Sequence, residues 1–318
     1  MNLKMELINQ KEVWNNFVND SEQGVAFNKS EILEIYGYKV DYWIVFKKDM
    51  PKLAIAIIIK NKSAVNSLPF SYYQGPMFSK DVNELKGIKK FEWTTKILTF
   101  AIQKLTHEYR NISFSLHWSL NDIRPFTWFN ELSPEKPNFN IKPKYTAIID
   151  CRNNDSINDY ILNIRRDRRQ DLRYANDNYI TIKKTQKTNE VLELYIETLK
   201  EKKIQVTDNE SNILESLLNL TKNKKMGYIL KAYNKNQEFI AAQFVLEDKY
   251  YSHGVALVGS KKANGLGVKT LLNLEWIKES MSKKLILDYN GANSPNLADY
   301  KHSMSAEPKI FFNVNLDK

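Results

Sequence analysis

Residues 227–290 read GYILKAYNKNQEFIAAQFVLEDKYYSHGVALVGSKKANGLGVKTLLNLEWIKESMSKKLILDYN, and the fold is decided there. β-branched and aromatic residues dominate three short runs, YILKAY, FIAAQFVLE and YSHGVALVG, separated by polar breaks. That pattern predicts three successive strands. GVKTLLNLEWIKESM then spaces its apolar residues as a helix, and KLILDYN returns as a strand. A strand, a crossover helix and a strand place the two strands parallel in one sheet.

The same order is found earlier in the chain. DYWIVFKKDMPKLAIAIIIKNK, residues 41–62, reads as two strands around a turn from Lys47 to Pro51. A loop containing SYYQGP follows, then a helical pattern through Phe91, Trp93, Ile97, Leu98, Ala101 and Leu105, and then the alternating strand NISFSLHW. At 318 residues the chain is long for one compact core. The simplest expectation is an α/β (α+β) protein of two similar subdomains, 1–150 and 151–318, the second beginning with a basic connector helix from about Ser156 to Asn178. A single large mixed sheet without duplication is the alternative.

Composition excludes several classes. A hydrophobic share of 42%, with 15 Phe, 17 Tyr and 6 Trp, supplies enough apolar mass to remove the chain from the disordered class. The single cysteine, Cys151, forms no internal disulfide, and four scattered histidines show no zinc-ligand spacing, so no metal is expected. A reducing, cytoplasmic setting fits. The first residues, MNLKMELINQKEVW, lack the apolar core of a signal peptide, and LAIAIIIK from Leu53 is far shorter than a membrane span. No integral membrane segment is therefore expected, although a peripheral membrane contact is compatible with the charge. The net charge of +10 points to a polyanionic partner: nucleic acid, a phosphorylated cofactor, a nucleotide sugar or an anionic membrane. Lysines spread along the whole chain make a solvated basic surface the plainer explanation of most of that excess.

Three segments carry chemistry. In the connector, SINDYILNIRRDRRQDLRYANDN, Ser156 and Asp159 form a capping pattern, and Ile161, Ile164, Leu172 and Ala175 form an apolar stripe. Arg168 falls in that stripe, and Arg165, Arg169 and Arg173 run down the adjoining face at i, i+4 spacing. Guanidinium groups bind phosphate bidentately, so a phosphate clamp is one reading. Pairing with Asp167, Asp171 and Asp177 on an exposed helix is the other. The second segment, KANGLG, lies between a strand and a helix, where small residues let backbone N–H groups approach a pyrophosphate. The third is the tail LDYNGANSPNLADYKHSMSAEP. Its strand sends Asp288 and Asn290 to one side and Tyr289 to the other, and its short polar helix holds Tyr300 and Lys301.

KANGLG resembles the Q/R-x-x-G-x-G/A pyrophosphate loop of GNAT acetyltransferases, with Lys262, Gly265 and Gly267 at the matching positions and lysine replacing the leading Gln or Arg. More broadly, AFNKSEILEIYGYK, LPFSYYQGPMF, IRRDRRQDLRYAN and the tail together resemble the Fem-like and related GNAT-fold N-acyltransferases. These include peptidoglycan aminoacyl-tRNA transferases and enzymes encoded with polysaccharide gene clusters. The resemblance spans nearly the whole chain. It implies two tandem GNAT-like subdomains, each a mixed, mostly antiparallel sheet flanked by helices. The tail looks like the family's aspartate-aromatic-x-Gly followed by Phe-Lys-x-x-Phe-Gly, with Tyr300 for the usual Phe and Met304-Ser305 for Phe-Gly. By that match Lys301 lies in the reaction centre, and the arginine helix with Tyr72 and Tyr73 lines the acceptor groove. The helical coiled-coil arm of the longer Fem enzymes is missing, since no stretch sustains heptads.

The reaction so implied is attack of a primary amine on an activated ester or thioester, giving an amide. Lys301 would stabilise the oxyanion or leaving group, Asp288 or His253 would accept a proton, and Tyr289, Asn290 and Tyr300 would contact substrate. No tightly bound cofactor is expected. The co-substrate is acyl-CoA in one reading and aminoacyl-tRNA in a second, with a phosphorylated or nucleotide-sugar acceptor. A third reading is an RNA-binding protein using the arginine helix, which lacks the support of any RRM or KH signature.

Overall fold

The computed structural model describes residues 2–60, 63–64, 68–133, 135–153, 156–224 and 226–317. The chain divides into two compact units, Met1–Lys144 with Ile310–Lys318, and Tyr145–Lys309. The division falls a few residues ahead of the expected 150/151, and the last residues of the chain return to the first unit.

The first unit begins with β1 (Lys4–Leu7), α1 (Lys11–Asp20) and α2 (Ser30–Glu34), followed by β2 (Lys39–Lys47) and β3 (Met50–Lys60). β2 and β3 pair antiparallel, as their sequence predicts. Lys48 and Asp49 both have positive φ, at 47° and 62°, the conformation that tight hairpin turns demand. Next come β4 (Ser63–Ala64), β5 (Met77–Phe78), α3 (Lys80–Asn83), α4 (Gly87–Glu108), β6 (Ile112–Ser115) and α5 (Arg124–Thr127). The sheet runs β1-β2-β3-β4, with β5 also on β3, and every pairing is antiparallel. α4 buries Ile97, Leu98, Ala101, Ile102 and Leu105 in one core with Val45, Leu53, Ile55 and Ile57 of the hairpin.

The second unit contains most of β7 (Asn140–Asp150), then α6 (Ile157–Asn163), α7 (Arg166–Asp177), β8 (Thr181–Thr185), α8 (Asn189–Glu201) and α9 (Asp208–Lys224). The stretch quoted at the start supplies β9 (Gly227–Tyr233), β10 (Phe239–Glu247), β11 (Tyr251–Gly259), α10 (Val268–Ser282) and β12 (Ile286–Asp288). α11 (Pro295–Ser303) and β13 (Glu307–Leu316) close the chain. Within this unit the strands run β7-β12-β11-β10-β9-β8, and β11 pairs parallel with β12, the two strands joined by the α10 crossover. α10 fills the core with Val268, Leu272, Trp276 and Ile277. Trp276 is wholly buried with its Nε1 donating to Ser252 Oγ at 2.7 Å, so truncating it to Ala costs about 3–5 kcal/mol. Both sheets are mixed or antiparallel and flanked by helices.

One expectation needs correction: the connector is two helices. Ile164 and Arg165 adopt extended ψ values of 155° and 148°, which ends α6 and starts α7. The Arg165 N–H bonds to Ser303 O instead of continuing the helix ladder, and Arg169 Nη1 takes up the carbonyls of Leu162 and Ile164 at 2.9 and 2.5 Å. The break is thus held partly from within the connector and partly by Ser303, which local sequence does not display.

Candidate active site

β12 ends in a tight turn at Asn290 and Gly291, with φ of 51° and 96°. Asparagine tolerates this left-handed region better than other side chains, and the turn aims the carbonyls of residues 289 and 291 towards α11. Lys301, near the end of α11, donates from Nζ to Tyr289 O at 2.8 Å and also to Gly291 O. Its ammonium lies 5.7 Å from the centre of the Tyr289 ring. Burial draws it down to about 8, with the negative charge of Asp288 opposing the shift. An ammonium has three N–H bonds, so two carbonyl partners leave one donor for a third oxygen.

Asp288 is fully buried, and its Oδ1 accepts from Thr146 Oγ1 at 2.6 Å and from the Asn290 N–H at 2.8 Å. His253 is also fully buried. Its Nδ1 faces Asn290 Oδ1 and its Nε2 faces Asp248 Oδ2, both at 3.2 Å. The Asn290 amide is oriented by its own Nδ2, which donates to Gly254 O at 3.1 Å, so both imidazole nitrogens meet acceptors. Burial works against charge on the ring, but Asp248, Asp288 and Asn290 outweigh it and raise the pKa. Both ring nitrogens are therefore engaged by partners within the protein.

A second cluster joins α7, α10 and α11. Arg168 is bonded to Asp167 at 2.9 Å and Asp171 at 2.7 Å, and its guanidinium lies 5.2 Å from the Tyr300 ring centre. Burial opposes its charge, and the two aspartates more than offset this. Arg165 reaches Asp167 and Asp299, which holds Asp167 well below the usual carboxylate range. Tyr300 is pushed up to about 12, first by burial, and its hydroxyl accepts from Asn273 Nδ2 at 2.9 Å. Arg173 is exposed, and among the described residues it has no ion-pair partner. Arg165 and Arg168 thus both meet aspartates of the chain itself, Asp167, Asp171 and Asp299.

At the KANGLG loop, Lys262 pairs with Glu238 at 2.8 Å, and Gly265 has a φ of 73° with open space beside it. Gly267, φ 66°, starts α10, and a Cβ there would come within 1.9 Å of the Asp171 carbonyl, so the helix packing admits only glycine. The Asp171 carboxylate accepts from Thr270 in the first turn of α10 at 2.7 Å. A side-chain anion thus already stands where a helix start offers its positive end.

Tyr72 and Tyr73 belong to the first unit. Tyr73 is 1% exposed with a φ of 58°, and its ring packs on His117 and Phe311 at 4.9 and 5.3 Å, so it shapes the SYYQGP loop from inside. Tyr72 is half-buried against Phe27 at 5.5 Å. Sequence reasoning missed Thr146 and Asp248. Thr146 meets Asp288 only because β7 and β12 pair antiparallel. Asp248 lies five residues before His253, and the turn between β10 and β11 brings the two together.

No protein-family model matches the chain, and no curated sequence does. Solved structures match over nearly its full length. FemX has a TM-score of 0.67 at 10% identity, covering 97% of this chain and 96% of its own. L-PGS from Bacillus licheniformis gives 0.55 at 14%, covering 96% and 91%. A tandem GNAT protein from the clavulanic acid biosynthesis pathway gives 0.51 at 12%, covering 99% and 98%. The chain has the Fem-like fold of two tandem GNAT-type units. Among its described residues no helix is long and apolar enough to cross a membrane.

Proposed function

We propose that the chain is an N-acyltransferase that joins an activated acyl group to a primary amine of a cell-envelope or polysaccharide precursor. The observation that carries this is Lys301, an ammonium held by two main-chain carbonyls and drawn down to about 8. Near neutral pH it is mostly charged, so its third N–H stabilises the tetrahedral oxyanion. It can also give its proton to the departing oxygen or sulfur as the amide forms, and it is recharged by the proton that the attacking amine releases. Asp288 keeps the 288–291 turn in place through Thr146 and the Asn290 N–H, and so positions the two carbonyls that hold Lys301.

A specific observation bears on the donor. An acyl-CoA anchored at KANGLG would bring its pyrophosphate to the start of α10, where the Asp171 carboxylate already bonds Thr270. That carboxylate is paired with Arg168 at 2.7 Å and occupies the place a pyrophosphate would take, which favours an aminoacyl-tRNA ester over acyl-CoA, with a peptidoglycan precursor or peptide as acceptor. The test supplies acyl-CoA and charged tRNA separately to the purified chain with amine acceptors. Amide formation from charged tRNA alone is the expected result, and transfer from acyl-CoA alone reverses the choice of donor. Failure of both, with Lys301→Ala binding every ligand as before, ends the enzyme reading.

A further inference from the structure

The first unit contains a cavity of about 300 Å³ beside the N-terminal half of α4, with apolar walls from Phe78, Phe91, Leu98, Leu120 and Pro125. That volume is at the small end of ligand pockets. Its floor is closed by a side-chain network. Gln23 Nε2 donates to Asn83 Oδ1 and to Ser119 Oγ, both at 3.1 Å, while Gln23 Oε1 accepts from the Phe78 N–H at 3.0 Å. These groups satisfy one another and keep the cavity's shape.

Thr95 is the exception. Elsewhere on α4, Thr94 and Thr106 return their hydroxyls to the helix, bonding Lys90 O at 2.8 Å and Gln103 O at 2.9 Å. Thr95 lines the cavity, and its Oγ1 is buried without a partner among the described residues. Such a group carries a standing desolvation cost that a ligand polar atom would relieve.

Charge at the opening selects the ligand. Asp122 is matched by a two-pronged contact from Arg124 at 2.8 and 2.7 Å. Lys90 donates only to the neutral Asn83 carbonyl at 2.9 Å and makes no ion pair among the described residues. Gly87 brings the start of α4 to the same cavity, and the N-cap Lys86 offers no side-chain cap to that helix end. One uncompensated cation and a positive helix end beside apolar walls suit one negative charge on an apolar body.

We propose that this cavity binds a small amphiphilic carboxylate, its apolar part between Phe78, Phe91 and Leu120 and its carboxylate on the Thr95 hydroxyl, with Lys90 and the start of α4 supplying positive charge at the opening. The test titrates the full chain with 3-phenylpropionate, 3-phenylpropanamide and 3-phenylpropylamine, by ligand-observed NMR and thermal shift. The carboxylate binds with a millimolar Kd, the amide roughly tenfold more weakly, and the amine not at all. Thr95→Val and Lys90→Met each weaken carboxylate binding roughly tenfold, about 1.4 kcal/mol. Thr95→Val also raises the thermal midpoint of the free protein, because the unpartnered hydroxyl is gone. Equal binding of all three compounds, no carboxylate binding at about 20 mM, or unchanged affinity in both variants overturns the proposal.

Discussion

Lys231 and Lys301 are both drawn away from solvent in the second unit, and they are held in opposite ways. Lys231, on β9, is 2% exposed and pairs with Glu190 at 2.5 Å, its ammonium 4.9 Å from the Phe239 ring centre. Lys301 also sits over an aromatic ring, but its bonds go to main-chain carbonyls and it is drawn down to about 8. A contacting carboxylate compensates a buried lysine's charge, whereas neutral carbonyls satisfy its N–H groups without that compensation. The first arrangement suits structure and the second suits proton transfer.

The largest effect that would break this contrast concerns activity. Lys301→Met should lower transfer kcat/KM by about 100-fold or more, as loss of an oxyanion donor does, whereas Lys231→Met should leave it near the parent value. Equal losses would abolish the distinction. In the parent, activity should hold up to about pH 8 and fall above it as Lys301 loses its proton. The stability sign follows from the same shift. Lys301 is depressed from 10.5 to about 8, so between those values the unfolded chain holds a proton that the folded chain has released. Its contribution to stability is therefore complete above pH 10.5 and is lost as pH falls through 8, and Lys301→Met should flatten that slope in urea midpoints.

A smaller effect sharpens the structural half of the comparison. Glu190→Gln leaves a buried cation without its anion and should cost at least about 2 kcal/mol in chemical denaturation. Lys231→Met instead returns Glu190, whose side chain is 60% exposed, to water, and should change stability by no more than about 1 kcal/mol. The smallest effect belongs to Arg165, whose pairs with Asp167 and Asp299 are solvent-exposed. Arg165→Ala should shift stability by less than about 1 kcal/mol, and less still at high salt.

The strands of residues 227–290, their crossover helix and the parallel pairing of β11 with β12 were legible in the sequence. Apolar period and chain connectivity are local properties, and these features depend on them alone. The hairpin around Lys48 and Asp49 was legible for the same reason. Continuity of the connector was misread because the group that interrupts it, Ser303 O, lies far along the chain. Arg168 does face inward as its place in the apolar stripe predicts, but the anions it meets are the protein's own Asp167 and Asp171.

The sequence by itself determined which segments become strands and helices and which short segments carry concentrated polar chemistry, since both follow from residue type and spacing. Only the tertiary structure decided protonation and access. It set Lys301 between the carbonyls of Tyr289 and Gly291, engaged both nitrogens of His253, and placed Asp171 at the start of α10. The physical reason is that burial and the sign of the nearest charge govern a titratable group, and both are supplied by residues distant in the chain.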